Sequence, residues 1–496
     1  MASSRDPDVE MDSWEDKTLP STLDDIAAEE DPLAPSNSLN VTHQSEKPVD
    51  KKKNTAYLDG LRGLAALLVY IYHHVSWYFG PTDDIINGWG ANGNHYFFQL
   101  PFIRLILTGG NAGVVIFFVL SGYVLSISPL RNLRDGHLRQ TYRALVSSVI
   151  RRPIRLYLPV IGVSLFFVIG LHLPFGLAPK LAWPEPKETL WMELKQWVYE
   201  LAIALQPSTK PDVLAHWFVY DPPVYTIPVE LVGSMLIFSV LAISGDVTMR
   251  MRVIVYSVMY IVFLFVYQWA MACFMAGILL AINDLKEPSN GPSTFSRFQL
   301  SARGKKIMQH VALFTGWYLL CQTAGMRDTQ VSSDTPGWWL LTKLIPPIYY
   351  DDPDKEYWRW WHTHGAFLVV YGVLRISWIQ RFFSSRPLKY LGRISFSMYL
   401  VHGPLMWTLG DRVYRFFGHI TMPEMTTMWD EKLPIPEFGL HAFTTRFLVA
   451  QAFILPMTFA FGHLGTILFD DPSVKLGKFV VGRLGLDGKK RQHVSM

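Results

Sequence analysis

The sequence predicts an all-α fold, a polytopic transmembrane bundle of about ten helices with both termini in the cytosol. Three observations lead there. Apolar residues make up 50% of the chain and fall in long runs, near the roughly 20 residues a helix needs to cross the hydrocarbon core. Charged residues are only 17%, against about 25% in soluble domains. Lysines and arginines gather in alternate loops, as the positive-inside rule requires of a multi-pass protein.

The first element in the chain is a tail. Residues 1–54 are rich in Asp, Glu, Ser and Pro and poor in aromatics. They bury too little surface to fold alone and read as a disordered acidic segment. They lack the basic start and short apolar core of a signal peptide, so the chain is expected to enter the membrane at its first true helix. A membrane domain covers 55–475, and a basic cytosolic tail covers 476–496. Within the domain the apolar stretches are 56–79, 111–128, 154–173, 224–243, 252–267, 268–283, 308–324, 363–379, 388–410 and 443–469. The pair within 252–283 has little to separate its halves.

Orientation follows from the loops. Lys51, Lys52 and Lys53 precede the first stretch and hold the N-terminus in the cytosol, and the arginines between Arg131 and Arg155 bring the second loop back to it. An even number of spans makes every loop obey the rule, which selects ten. The Asn40-Val41-Thr42 sequon then faces the cytosol and stays unmodified. The opposite loops, near 174–222 and 325–362, are rich in Trp, Tyr and Pro and hold acidic clusters such as Asp351, Asp352 and Asp354. The amphipathic stretch 188–205 suits a helix lying along the interface as a cap, or the aromatics simply anchor the loops. Cys273 and Cys321 both lie in apolar runs and read as buried free thiols, with no metal centre implied.

Charged residues inside a spanning helix are costly and mark function. The first stretch carries Asp59, Arg62, His73 and His74. At about 100° per residue, the eleven residues from Arg62 to His73 return to nearly the same face, with the histidine about 16 Å further along. One helix thus presents a cation near one surface and a titratable base at depth. Asp59 lies one turn before Arg62 and can pair with it, or the two simply neutralise each other. His74 points away and reads as structural. The second polar set, Arg151, Arg152 and Arg155, stands where the cytosolic loop enters the third helix. Arginine forks grip phosphate bidentately, so a polyphosphate donor such as coenzyme A would fit; the same residues also satisfy the positive-inside rule. Third, Glu230 lies near the start of an apolar helix and needs a partner or a proton. It is read either as meeting a histidine to form an orienter–base pair or as one half of a structural ion pair. His402 either bonds within the bundle or lines the site.

Together these motifs resemble the membrane acyltransferase 3 family. Leu58-Asp59-Gly60-Leu61-Arg62-Gly63 followed by His73 is similar to the family's opening Arg-x10-His motif, Phe117 to Tyr123 to its second-helix signature, and the Arg151–Pro159 segment to a third. Tyr225 to Ser234 resembles its tryptophan-threonine-x-proline-x-glutamate segment, with Tyr225 in place of the tryptophan. Ser395 to Pro404 resembles the late motif. The likeness runs in order over about 55–475. It implies transfer of an acyl group, commonly acetyl from acetyl-CoA, to a hydroxyl. It also implies His73 as the catalytic histidine and Arg62, Arg152 and Arg155 as donor-binding residues. Glu230 stands beside His73 as a catalytic candidate. Arg151 is carried with the donor set, and Asp59, Ser121 and His402 are carried as supporting residues, Ser121 as an oxyanion donor. The fungal character of the likeness points to a small secondary-metabolite acceptor and an endomembrane such as the endoplasmic reticulum. A lipid or glycan acceptor is the neighbouring alternative. The expected partners are the bilayer and that acceptor, with no nucleic acid and no metal. Two other classes compete. A transporter also places polar residues at depth, but no internal repeat of the transporter kind is seen. A membrane scaffold using the acidic tail would be indifferent to loss of His73.

Overall fold

The computed structural model describes residues 55–81, 83–173, 186–208, 218–285, 301–323, 329–352, 355–421 and 426–486. The acidic tail, the sequon, Lys51 to Lys53 and the last ten residues lie outside them. A compact unit begins at Ala56, and it is helical almost throughout. The helices that matter here are α1 (Ala56–Phe79), α2 (Gly110–Arg134), α3 (Leu138–Leu171), α4 (Leu190–Ala204), α5 (Thr226–Ile243), α6 (Met249–Phe265), α7 (Trp269–Leu285), α8 (Ala302–Leu320), α9 (Arg359–Arg375), α10 (Ser377–Phe383), α11 (Arg386–Leu405), α12 (Asp411–Phe416), α13 (Thr445–Gly465) and α14 (Asp471–Arg483). The described strands are a two-residue hairpin, Gly439–Leu440 with Phe443–Thr444.

The apolar stretches fall largely on helices, 363–379 being divided between α9 and α10. Among the described residues, four segments suit a membrane span by length and composition: Gly110–Arg134, Leu138–Leu171, Pro222–Ile243 and Thr445–Arg483. The pair α9 and α10, bent by 96°, makes a fifth if taken as one. The other stretches are shorter or carry charge. α1 holds Asp59 and Arg62, α11 holds Arg386, Lys389 and Arg393, and α6 and α7 have 17 residues each. The stretch 252–283 does divide, at Val266–Gln268, where Tyr267 adopts a φ of 59° and turns the chain.

The sequence placed the arginines where a loop meets the third helix. Instead α3 begins at Leu138 and runs 34 residues, so Arg151, Arg152 and Arg155 lie well inside a continuous helix. Nothing between 138 and 152 breaks a helix, and Pro153 and Pro159 are accommodated within it, as prolines are where neighbouring helices re-satisfy the freed backbone.

Close backbone approach sets the register of the central helices. On α1, a β-carbon at Gly63 would collide with the backbone of Leu391 and Gly392 on α11. His73 and His402 also meet, and each lies ten residues beyond that crossing. Equal offsets mean that α1 and α11 run parallel, and the histidines meet about 15 Å from the glycine crossing. α3 and α5 are antiparallel: Tyr142 bonds the carbonyl of Ala242 while Arg152 bonds Ser234. α4 is amphipathic, as 188–205 suggested. Glu193, Trp197, Leu201 and Ala204 are buried while Trp191, Val198 and Tyr199 are exposed. Thr189 caps its start, and Trp197 Nε1 donates to Ser164 Oγ at 3.0 Å, which ties the helix to α3.

Candidate active site

Two polar groups occupy the interior of the bundle at different heights along α1. The first surrounds Arg62. Its guanidinium lies 4.0 Å from Asp59, a loose contact. Across from it on α3, Arg152 is committed: it forms an ion pair with Glu230, and its Nε donates to Ser234 Oγ at 2.8 Å. Ser234 in turn donates to the Glu230 carbonyl at 2.7 Å. Glu230 therefore meets an arginine 78 residues away and not a histidine, the ion-pair alternative of the two the sequence left open. Arg155 makes no hydrogen bond or ion pair among the described residues. Its charge is felt by Arg62, Asp59 and Asp470. Asp470 is buried at the end of a π-helical turn, Thr466–Asp470, and one of its oxygens has no hydrogen-bond partner. Arg151 turns elsewhere, its stem packing against Gly477 of α14.

The second group surrounds His73. Its Nδ1 lies 2.9 Å from the Val69 carbonyl and 3.2 Å from His402 Nε2. His402 Nδ1 lies 2.6 Å from the Tyr399 carbonyl. His73 Nε2 makes no hydrogen bond among the described residues. The ring is half-buried, as are Tyr72, Phe117, Ser121 and Tyr225. Tyr72 packs edge-on to His73 at 5.4 Å, and Phe117 meets Tyr399 at 6.4 Å. Ser121 follows Phe117 by one turn of α2. Tyr399 is fixed by hydrogen bonds to Thr226 at 2.8 Å and to the Pro223 carbonyl at 2.6 Å.

One neighbour was not found from the sequence. Arg359, 1% exposed, stacks on Trp269 at 4.3 Å, and its Nε donates to Glu356 at 2.7 Å. Its Nη1 donates to the Asn111 carbonyl at 3.3 Å, and it bonds Tyr225. Its charge reaches Tyr72 and Tyr399 as well. Asp470 was also missed. The signal for both was a charged residue in an apolar helix, masked for Arg359 by the tryptophans around it. Outside the spans, Asp221 is 2% exposed, and burial holds its carboxyl well above the usual range. It sits beside Gly403, where a β-carbon would come within 3.1 Å of its Oδ1.

The arrangement has cations at one end, a ring nitrogen without a hydrogen-bond partner among the described residues at the other, and about 16 Å of α1 between them. Among the described residues no group of three His, Cys, Asp or Glu side chains could hold a metal.

Residues 55–463 match the model of a family described as an acyltransferase domain. The chain is similar to an O-acetyltransferase, PaAT-1, of Phomopsis amygdali, 30% identical over 387 residues, 73% of this chain and 74% of the relative. It is also similar to Acyltransferase R4 of a Phoma species, at 23% identity over 74% of this chain and 86% of the relative. Acyltransferase clz18 of Cochliobolus lunatus is 24% identical with the same coverage. No solved structure matches the chain.

Proposed function

This chain belongs to the acyltransferase 3 family of membrane enzymes, and from that premise we propose that it is an O-acetyltransferase, carrying acetyl from acetyl-CoA to a hydroxyl of a small secondary-metabolite acceptor. The observation that supports the reading most is the free Nε2 of His73 on the same helix as Arg62, whose charge reaches the unpaired guanidinium of Arg155. The name of the Phomopsis relative supports acetyl as the group and oxygen as the acceptor atom.

The donor's phosphates dock on Arg155 and Arg62, with Arg151 at the margin. Arg152, neutralised by Glu230, holds the wall and acts through its position. Asp59 steadies Arg62, and the arm of the donor runs along α1 towards His73. The acceptor approaches from the side of Tyr72, Tyr225 and Arg359. His73 Nε2 takes the proton of the acceptor hydroxyl as its oxygen attacks the thioester carbon. A tetrahedral oxyanion forms, with Ser121 as donor. The C–S bond then breaks, and the thiolate of coenzyme A leaves with the proton held by His73. Each of the ten apolar helices is one span in this reading, with both termini cytosolic and the protein in an endomembrane such as the endoplasmic reticulum. Residues 1–54 and 476–496 are tails outside the enzyme proper.

The test is release of free coenzyme A by purified protein supplied with acetyl-CoA and host-extract acceptors, with the product identified by mass spectrometry. Release that depends on acceptor and yields an acetyl ester is expected. No release with any acyl donor, from folded protein, would overturn the reading in favour of transport.

A further inference from the structure

The two histidines do more than touch. A carbonyl oxygen only accepts hydrogen bonds, so the 2.6 Å contact of His402 Nδ1 with the Tyr399 carbonyl requires a proton on that nitrogen. By the same argument the 2.9 Å contact of His73 Nδ1 with the Val69 carbonyl requires a proton there. The remaining contact, 3.2 Å between His402 Nε2 and His73 Nδ1, needs one donor and one acceptor. His73 Nδ1 already carries its proton, so His402 Nε2 is the acceptor. These three contacts are all attractive only with a proton on each Nδ1 and none on His402 Nε2, which leaves the His402 ring neutral. A lone pair on His73 Nδ1 would face the Val69 carbonyl. A doubly protonated His402 would turn an N–H towards another N–H.

We propose that His402 is the positioning residue of the active site: its Nε2 lone pair holds the proton of His73 on Nδ1, so that His73 Nε2 presents its lone pair to the acceptor hydroxyl. The role rests on His73 being the base. The Tyr399 carbonyl fixes the tautomer of His402, and His402 Nε2 joins the Val69 carbonyl in holding the proton of His73 on Nδ1. Among the described residues no carboxylate bonds either ring. Glu230, the carboxylate on a neighbouring helix, is held by Arg152. A neutral orienting ring has a consequence that a carboxylate would not have. It aligns the base without stabilising an imidazolium, so the proton taken from the acceptor is passed on readily to the departing thiolate. The glycine crossing of α1 with α11 is what brings the two rings to this distance.

Two variants separate this role from packing. His402→Gln keeps an acceptor oxygen near the place of Nε2, and His402→Phe keeps a ring without one. His402→Phe is expected to lower kcat by roughly 10²-fold or more, in line with losses when a catalytic histidine takes the wrong tautomer. The KM for acetyl-CoA should stay within about twofold, and His402→Gln should recover most of the rate. Solid-state NMR of protein labelled with ¹⁵N-histidine reads the tautomer without any substrate, with His73→Gln identifying the signal. The wild type should show the proton of His73 on Nδ1, and His402→Phe should show a mixture. A wild-type His73 protonated on Nε2 would overturn the proposal, as would His402→Gln being as impaired as a folded His402→Phe. If His402→Phe does not fold, the wild-type spectrum and His402→Gln still decide. Failure of the acyl-transfer reading would show separately, as undiminished activity in His73→Ala or as no transfer at all.

Discussion

Two clusters of arginine and aspartate in this molecule are built from the same residues and end in opposite states. Around α12, Arg415 is fully buried. Its Nε donates to Asp411 and its Nη1 to Asp430, both at 3.0 Å, while Arg412 reaches Asp411 at 2.8 Å. The neighbouring chain closes over it: the amide of Glu431 bonds the Arg415 carbonyl at 2.9 Å, and Thr427 bonds Asp430 through its amide and hydroxyl. Around Arg62 the charges are near each other but unfinished. Arg62 is 4.0 Å from Asp59, and Arg155 has no partner among the described residues. Buried charges are tolerated when paired and hydrogen-bonded, and are costly otherwise. The closed cluster therefore holds loops together, and in the reading proposed above the open one receives the donor's phosphates. The adjacent histidines of α1 repeat the contrast. His74 is enclosed, bonded to Tyr414 at 2.8 Å and packed on Tyr70 at 4.2 Å, while His73 is half-buried.

The largest effect expected from this contrast is at the histidines. His73→Ala should lower turnover about 10²–10⁴-fold, the range for loss of a general base. His74→Gln should leave turnover within about threefold and lower thermal stability by about 1 kcal/mol. Steady-state assay and melting of the purified variants check both. Equal losses of turnover would erase the distinction.

Next is the closed cluster. Arg415→Ala leaves Asp411 buried with less compensation and should destabilise the protein by about 3–5 kcal/mol. The fraction that folds should keep the wild-type KM for acetyl-CoA, and thermal unfolding followed by assay at low temperature reads both. Arg155→Ala should do the reverse. It removes a charge-assisted contact of about 1.5–3 kcal/mol, raising KM for acetyl-CoA by roughly 10–100-fold with melting unchanged.

The smallest effect is acid sensitivity at His419, which stacks on Tyr78 at 3.6 Å. Burial lowers its pKa from 6.5 to about 4. Between those values the unfolded chain binds a proton that the folded chain refuses, so stability should rise with pH across that window. Melting of wild type and His419→Gln from pH 4 to 7 tests the sign. The variant should show a shallower slope.

Much of this was legible in the sequence, because helical periodicity is local. The eleven-residue spacing from Arg62 to His73 and the ten apolar stretches follow from 3.6 residues per turn and needed no tertiary information. What the sequence left open was pairing across distance. Glu230 had two readings, and only the antiparallel register of α3 and α5 brings it to Arg152. His402 also had two readings, and the crossing at Gly63 and Gly392 brings it to 3.2 Å from His73 while it bonds the Tyr399 carbonyl. The start of α3 was placed too late because its first four turns are polar enough to resemble a loop. Arg359 and Asp470 stood in stretches already assigned to other purposes, a tryptophan-rich flank and the end of the last apolar run.

The most direct test of the central claim measures equilibrium binding of acetyl-CoA to wild type, His73→Ala and Arg155→Ala in detergent, alongside their turnover. Binding by His73→Ala equal to wild type with turnover abolished, together with weakened binding by Arg155→Ala, is the predicted result. Full binding by Arg155→Ala, or loss of binding in His73→Ala, would contradict the assignment of one end of α1 to the donor and the other to the chemistry.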